Sequence, residues 1–201
     1  EVLIIYDDID KNDLDYIKKL TSNDKRIKLL INEKNLGAGM SRNIGIDQSK
    51  GDYLAFIDSD DQWKENKIEV QLKYMIEHKI SFTHTSYKIV GEENEFISKR
   101  KARNFININD LIKSCDIGLS TVIIKKDALK DERFVNLKTK EDFVLWLKLI
   151  SNNIKIIGID ENLVFWRKSS NSLSSSTIQK LLDGFKVYNF YMRFNVFKSF
   201  Y

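Results

Sequence analysis

Apolar residues fall along this chain in short runs and helical spacings that alternate. Residues 2–6 are continuously apolar and end in Asp7-Asp8, which predicts a buried strand with carboxylates at its C-terminal end. Leu14, Ile17 and Leu20 then keep helical spacing, with Asn12 or Asp13 placed to cap. Residues 27–31 predict the next strand. Strand, helix and strand joined by short connections predict βαβ units, parallel pairing and right-handed crossovers. A Gly-rich turn at Gly37-Ala38-Gly39 enters a helix whose apolar positions include Met40, Ile44 and Ile46. Glycines allow close backbone approach, and a helix start offers free N–H groups to an anion. No Gly-Lys-Ser/Thr follows, so this is not a Walker loop. Residues 53–57 are short, apolar and aromatic, and predict a buried central strand that delivers Asp58, Asp60 and Asp61 at its C-terminal end.

The second half is less regular. Residues 64–79 predict an amphipathic helix with Ile68, Leu72, Met75 and Ile76 on one face. Residues 80–90 alternate as a strand, with 95–97 returning beside them as a hairpin around Gly91. A short helix starts at Asn109, and 119–125 read as a β-branched strand. Glu141-Asp142 stand directly before a helical apolar stretch, Phe143 to Ile150. Residues 154–159 form another strand, and 163–166 continue the apolar signal into Arg167-Lys168. Serines from 169 to 176 read as a loop. The tail, 178–201, predicts a long helix rich in aromatics, among them Phe185, Tyr188, Phe194, Phe197 and Phe200, and after Asp183 it has no acid. Such a helix lies on a membrane surface, docks on a partner or packs on its own domain.

Composition narrows the classes. A length of 201 residues suits one domain, and 42% hydrophobic residues support a proper core. A net charge of +4 gives no case for nucleic acid. The single cysteine, Cys115, excludes a disulfide framework and a Cys-rich zinc site. No apolar run approaches the roughly 20 residues of a membrane span, and no signal-peptide pattern is visible, so the expected location is cytoplasmic. The chain starts without Met inside a strand and reads as a piece that has lost its start. His84, inside a strand, reads as a structural residue and His78 as a surface one.

Three acids in four residues repel one another unless a cation or hydrogen-bond donors hold them. Hard divalent metals take such oxygen ligands. In open α/β sheets ligands bind at the C-terminal strand edge, so the segment has two readings from the residues alone, a metal-and-phosphate site or a solvated acidic turn. Glu141 and Asp142 have two readings from the residues alone: acids that favour the positive end of a helix dipole, or functional carboxylates.

Taken in order, these motifs resemble family 2 glycosyltransferases, inverting enzymes of the GT-A fold that build bacterial surface polysaccharides. The resemblance runs from Ile4-Ile5-Tyr6-Asp7-Asp8 through Asn35-Leu36-Gly37 and Ser41-Arg42-Asn43-Ile44-Gly45-Ile46 to Phe56-Ile57-Asp58-Ser59-Asp60-Asp61. It resumes at Glu141-Asp142 with Leu145-Trp146 and ends at Trp166-Arg167. It implies an α/β fold: a GT-A-like, Rossmann-like mixed, mostly parallel central sheet flanked by helices, with a C-terminal helical tail. Residues 1–177 would be the transferase domain, with 1–80 as its nucleotide-binding half, 81–177 as its acceptor side, and 178–201 as the tail. The family's first strand would be missing.

The resemblance further implies a nucleotide-sugar donor, UDP-linked, a saccharide or lipid-linked saccharide acceptor, and a divalent cation, Mn²⁺ or Mg²⁺. Asp58 and Asp60 look like the family's D-x-D pair, with Asp61 as a supporting metal ligand. Asp7 resembles the acceptor for the imide N–H of uracil. Arg42 and Arg167 look like donor-side arginines, and Asp142 like the catalytic base. Peripheral membrane contact through 178–201 would place the protein at the inner face of the membrane. The sequence departs from the family at Ile9-Asp10, where Gly-Ser is usual, after Trp63, where Lys64-Glu65 replace a proline, and at Lys168, near which a His is usual. Competing readings are a non-catalytic nucleotide-sugar-binding module, a sugar nucleotidyltransferase and an Asp-dependent phosphatase; the last lacks its usual Thr or Val at Gln62.

Overall fold

The computed structural model describes residues 1–169 and 177–192. In chain order the elements are β1 (Val2–Tyr6), α1 (Leu14–Thr21), β2 (Ile27–Ile31), α2 (Ala38–Gln48), β3 (Tyr53–Ala55), β4 (Gln62–Trp63), α3 (Lys67–His78), β5 (Phe82–Val90), β6 (Phe96–Arg100), α4 (Ile108–Lys113), β7 (Ile123–Lys125), α5 (Lys126–Leu129), α6 (Glu141–Ser151), β8 (Ile157–Arg167) and α7 (Thr177–Lys186). By contacts they divide into two compact units. The first comprises Glu1–Gly51, Arg133–Val144 and the tail; the second comprises Asp52–Glu132 and the stretch from Leu145. The serine-rich loop beyond Ser169 and the tail aromatics Phe194, Phe197, Phe200 and Tyr201 lie outside the described residues.

In the first unit β1 and β2 pair in parallel, Val2 opposite Ile27 through Tyr6 opposite Ile31, with α1 as the connection. Asp13 stands at the N-cap position of α1 but its side chain does not cap; it accepts the Tyr6 hydroxyl instead. Gly37, at φ 81°, begins the turn into α2, a conformation that residues with a Cβ adopt rarely. Gly39 sits so close to its neighbours that a Cβ there would lie 2.9 Å from the Val135 carbonyl and 3.0 Å from Glu141 Cγ.

The second unit holds a sheet in the order β3-β7-β5-β8-β4, with β6 added on β5. The β5–β8 pairing is parallel, whereas β3–β7, β5–β7, β4–β8 and β5–β6 are antiparallel. The sheet is mixed as expected, and its antiparallel share is larger than the βαβ pattern implied. The acidic strand is three residues long and stands at an end of this sheet's path, not at its centre. The two expected strands 154–159 and 163–166 are one strand, β8, which starts only at Ile157 and whose pairing with β5 absorbs register shifts around Ser86. The expected strand 119–125 opens as a 3₁₀ turn, Leu119–Thr121, because the Thr121 N–H and hydroxyl both bond to the Gly118 carbonyl.

Trp146 of α6 and Phe82 of β5 are fully buried and meet edge to face at 4.9 Å between centroids. Each such burial contributes about 1.5–3 kcal/mol. The buried face of α3 is Lys67, Gln71 and Met75, while Ile76 is exposed. Polar pairing explains the difference: Gln71 Nε2 donates to Thr83 Oγ1 and to the Thr121 carbonyl, so an amide occupies the core-facing position.

Candidate active site

The first unit organises its acids with backbone donors. Where β1 ends, Asp7 Oδ1 accepts from Asn32 Nδ2 at 2.7 Å and the Leu36 N–H at 2.8 Å, and Oδ2 accepts the Gly37 N–H at 2.8 Å. Asn35 Nδ2 reaches the Asp7 carbonyl at 2.9 Å. Burial alone would raise this carboxyl's pKa, but Asn32, the Leu36 and Gly37 N–H groups and Ser41 outweigh it and hold it below the usual range. Asn35, Leu36 and Gly37 therefore form a loop fastened to one aspartate.

Arg42, on α2, donates to Glu141 Oε1 at 2.6 Å, and its guanidinium lies 5.6 Å from the centroid of the Phe134 ring. Asn43 completes the junction: its Nδ2 donates to the Phe134 carbonyl and its Oδ1 accepts the Phe134 N–H, each at 2.9 Å. Glu141, which the sequence left between a helix-dipole acid and a functional carboxylate, is thus the partner of Arg42. Asp142 follows in the first turn of α6, half-buried, with Oδ1 accepting the Phe143 N–H at 2.6 Å.

In the second unit the 58–61 segment is a turn closed by the Asp61 N–H on the Asp58 carbonyl at 3.0 Å. Two residues hold it. Ser120 Oγ accepts the Asp58 N–H at 3.0 Å, while the Ser120 carbonyl accepts Trp63 Nε1 at 2.7 Å. Arg167 donates its backbone N–H to Asp61 Oδ1 at 2.9 Å and its Nε to the Asp60 carbonyl at 3.0 Å. The rest of its guanidinium reaches the carbonyls of Gly91 and Glu92 and Asn94 Oδ1. Arg167 is therefore a clamp on the acidic turn. Ser120 and Trp63 belong to the site too; Trp63 follows the acids in sequence, whereas nothing in the sequence marks Ser120.

Asp61 is buried, and its Oδ2 has no hydrogen-bond partner among the described residues. Burial, opposed by Ser120 and the Arg167 N–H and aided by Asp58 and Asp60, pushes this carboxyl up to about 6. Asp60 is exposed and Asp58 half-buried. Among the described residues no group of three or more His, Cys, Asp or Glu side chains is gathered to hold a metal ion. The expected trio of Asp58, Asp60 and Asp61 is not a closed cage, because Asp61 faces the Arg167 backbone. Hard oxygen donors of this kind do suit a cation bound through one or two carboxylates together with substrate phosphates.

A family model described as Glycosyl transferase family 2 matches residues 1–131, more than half of the chain. The chain belongs to glycosyl transferase family 2. Among its relatives is WfgD of Escherichia coli, named a UDP-Glc:alpha-D-GlcNAc-diphosphoundecaprenol beta-1,3-glucosyltransferase, 37% identical over 180 residues, covering 89% of this chain and 70% of WfgD. WfaP of Escherichia coli, of the same named activity, is 33% identical over 183 residues, 90% of this chain and 70% of WfaP. Among solved structures, S. aureus TarS 1-349 in complex with UDP-GlcNAc superposes with a TM-score of 0.70 at 21% identity, over 94% of this chain and 58% of that one. The family 2 chain is thus a glycosyltransferase with the GT-A fold. It spans little more than half the length of the TarS chain it matches.

Proposed function

We propose that this family 2 chain works as a metal-dependent inverting transferase. It moves a sugar from a UDP-sugar to a hydroxyl of a saccharide or lipid-linked saccharide in bacterial surface polysaccharide synthesis. The observation that carries the reading is the 58–61 turn. Ser120 and Arg167 fix its backbone and Asp61, while Asp60 stands in solvent beside Asp58. Asp60 and Asp58 would hold Mn²⁺ or Mg²⁺ jointly with the donor's diphosphate, and the bound ion would stabilise charge on the departing diphosphate.

Asp7 has acceptor capacity left on Oδ2 for an imide N–H of uracil, and its ties keep residues 35–37 in place. Arg42, held by Glu141, sets the start of α6. Asp142 takes the proton of the acceptor hydroxyl as that oxygen attacks the anomeric carbon. The names of WfgD and WfaP, whose acceptor is a lipid diphosphate, and the UDP-GlcNAc complex of TarS support the substrate classes. No helix among the described residues is long and apolar enough to cross a membrane. The outer face of α7 exposes Ile178, Leu181 and Leu182 beside Lys180, which fits peripheral contact with anionic lipid where such an acceptor resides, at the cytoplasmic face.

Calorimetry of UDP binding, with and without Mn²⁺, tests the core of this reading. Binding is expected to need the metal and to disappear in Asp60→Asn. Metal-dependent binding that survives unchanged in Asp60→Asn removes that residue from the site. Binding without any release of UDP from UDP-glucose or UDP-N-acetylglucosamine, with an N-acetylglucosaminyl-diphospho-lipid present as acceptor, turns the reading towards a non-catalytic nucleotide-sugar module.

A further inference from the structure

The described part of the tail carries one acid, Asp183, on α7, and it is 1% exposed. It faces the segment that leads into α6. Asp183 Oδ2 accepts both the N–H and the hydroxyl of Thr139 at 3.0 Å, and Gln179 Nε2 at 2.9 Å; Lys186 Nζ stands 3.5 Å from Oδ1. Burial works against the charge, but the donors of Gln179 and Thr139 outweigh it and hold the carboxyl below its usual range.

Between Thr139 and Glu141 stands Lys140, with φ at 64°. That left-handed conformation is uncommon for a residue with a side chain and persists where its surroundings over-determine it. The Lys140 carbonyl accepts the Val144 N–H at 3.1 Å, so this bend is the entry to α6. On the other side of Asp142, the Phe143 ring meets Tyr188 edge to face at 6.5 Å, and Val187 is fully buried. The tail therefore grips the chain at Thr139 and at Phe143, before and after Asp142.

The geometry points to Asp183 as a positioning residue for the catalytic base: by holding Thr139 it fixes the Lys140 bend, and the bend sets the direction of Asp142. This inference rests on the assignment of Asp142 as base. A general base displaced by a fraction of an ångström to an ångström loses rate while donor binding is retained. The Asp183–Thr139 tie thus acts on kcat and spares the donor site.

The test uses the full chain, with UDP release from UDP-glucose or UDP-N-acetylglucosamine in the presence of an N-acetylglucosaminyl-diphospho-lipid acceptor as the rate and UDP calorimetry as the affinity. Asp183→Ala is expected to lower kcat on the order of 10-fold to 100-fold, with KM for the donor and UDP affinity within about twofold. Amide hydrogen exchange of residues 139–143 should quicken. Thr139→Val, which removes only the hydroxyl contact, should lower kcat in the same sense by about threefold, and it decides the matter if Asp183→Ala does not fold. Asp142→Asn, run alongside, should lose on the order of 10²-fold or more in kcat. Wild-type kcat in either tail-contact variant, with Asp142→Asn inactive, overturns the positioning role alone. A fall in kcat matched by an equal fall in UDP affinity overturns it as well. Full turnover in Asp142→Asn overturns the base assignment and this inference with it.

Discussion

The two units treat buried polar groups in opposite ways. In the first, Asp7, Glu141 and Asp183 each meet named donors: backbone N–H groups and Asn32 for Asp7, Arg42 for Glu141, Thr139 and Gln179 for Asp183. In the second, Asp61 Oδ2, Lys67 Nζ, Gln71 Oε1 and His84 Nδ1 are buried with no hydrogen-bond partner among the described residues. A satisfied carboxylate stabilises the fold through its charge. A buried group short of partners stabilises it only in the neutral state. Charge-removing substitutions should therefore harm the first unit, and protonation changes should act on the second.

The largest effect expected from this contrast below neutral pH is on acid stability, through His84. Its Nε2 lies 2.8 Å from the Arg103 carbonyl, so the neutral ring carries its proton there. Phe105 packs beside the ring, 5.7 Å between centroids. Burial pulls the pKa down to about 4; the Arg103 carbonyl and Asp116 oppose this and the Arg103 charge adds to it. The folded value lies below the unfolded one, so the unfolded chain binds the proton first. Stability from this group is complete above pH 6.5 and declines as pH falls from about 6.5 to 4, by about 3 kcal/mol in all. Urea unfolding at pH 7.5 and 4.5 measures it. His84→Gln keeps a donor for Arg103 and should remove that part of the decline; an identical decline in the variant would break the contrast on the side of the second unit.

Asp7→Asn tests the other side and should cost about 2 kcal/mol, the scale of a hydrogen bond to a charged group. The new amide can offer its oxygen to the Leu36 or the Gly37 N–H, but not to both on separate oxygens as the carboxylate does. Hydrogen exchange should quicken at residues 35–37. Unfolding at an unchanged urea midpoint would show that the loop is held by Asn32 and Asn35 without the charge.

What was legible before the structure follows the same line. Residues 2–6 and 27–31 are legible as strands to the residue, because short runs rich in apolar residues and bounded by polar ones leave strands little choice of ends. The acids at 7, 58, 60, 61 and 142 were legible as candidate chemistry. Their partners were not. Arg42 and Glu141 are 99 positions apart, and Asp58 and Ser120 are 62 apart, separations that only the folded chain closes. The buried face of α3 differs from the apolar spacing because a count of apolar positions cannot credit Gln71, whose Nε2 donates to Thr83 and Thr121. Nothing in the sequence of the tail marks Asp183 as the partner of Thr139, 44 positions away.

Lys67 gives the sharpest sign. Its side chain is fully buried on α3, with Nζ 4.3 Å from the centroid of the Trp63 ring. Burial pulls its pKa from 10.5 down to about 7. Again the folded value is the lower one, so between pH 7 and 10 the unfolded chain binds more protons and stability should rise with pH. The Trp63 face works the other way, favouring the cation by about 1–2 kcal/mol where water is excluded. The ring offsets only part of a shift of this size, and Lys67→Met, similar in length and apolar, should raise stability at pH 7 by about 1–3 kcal/mol. It should also flatten the rise between pH 7 and 10. A loss of more than about 1 kcal/mol at pH 7 in Lys67→Met would mean that the aromatic face satisfies the amine as fully as donors satisfy Asp7. In that case the two units would differ in the kind of partner their buried charges have, and not in whether they have one.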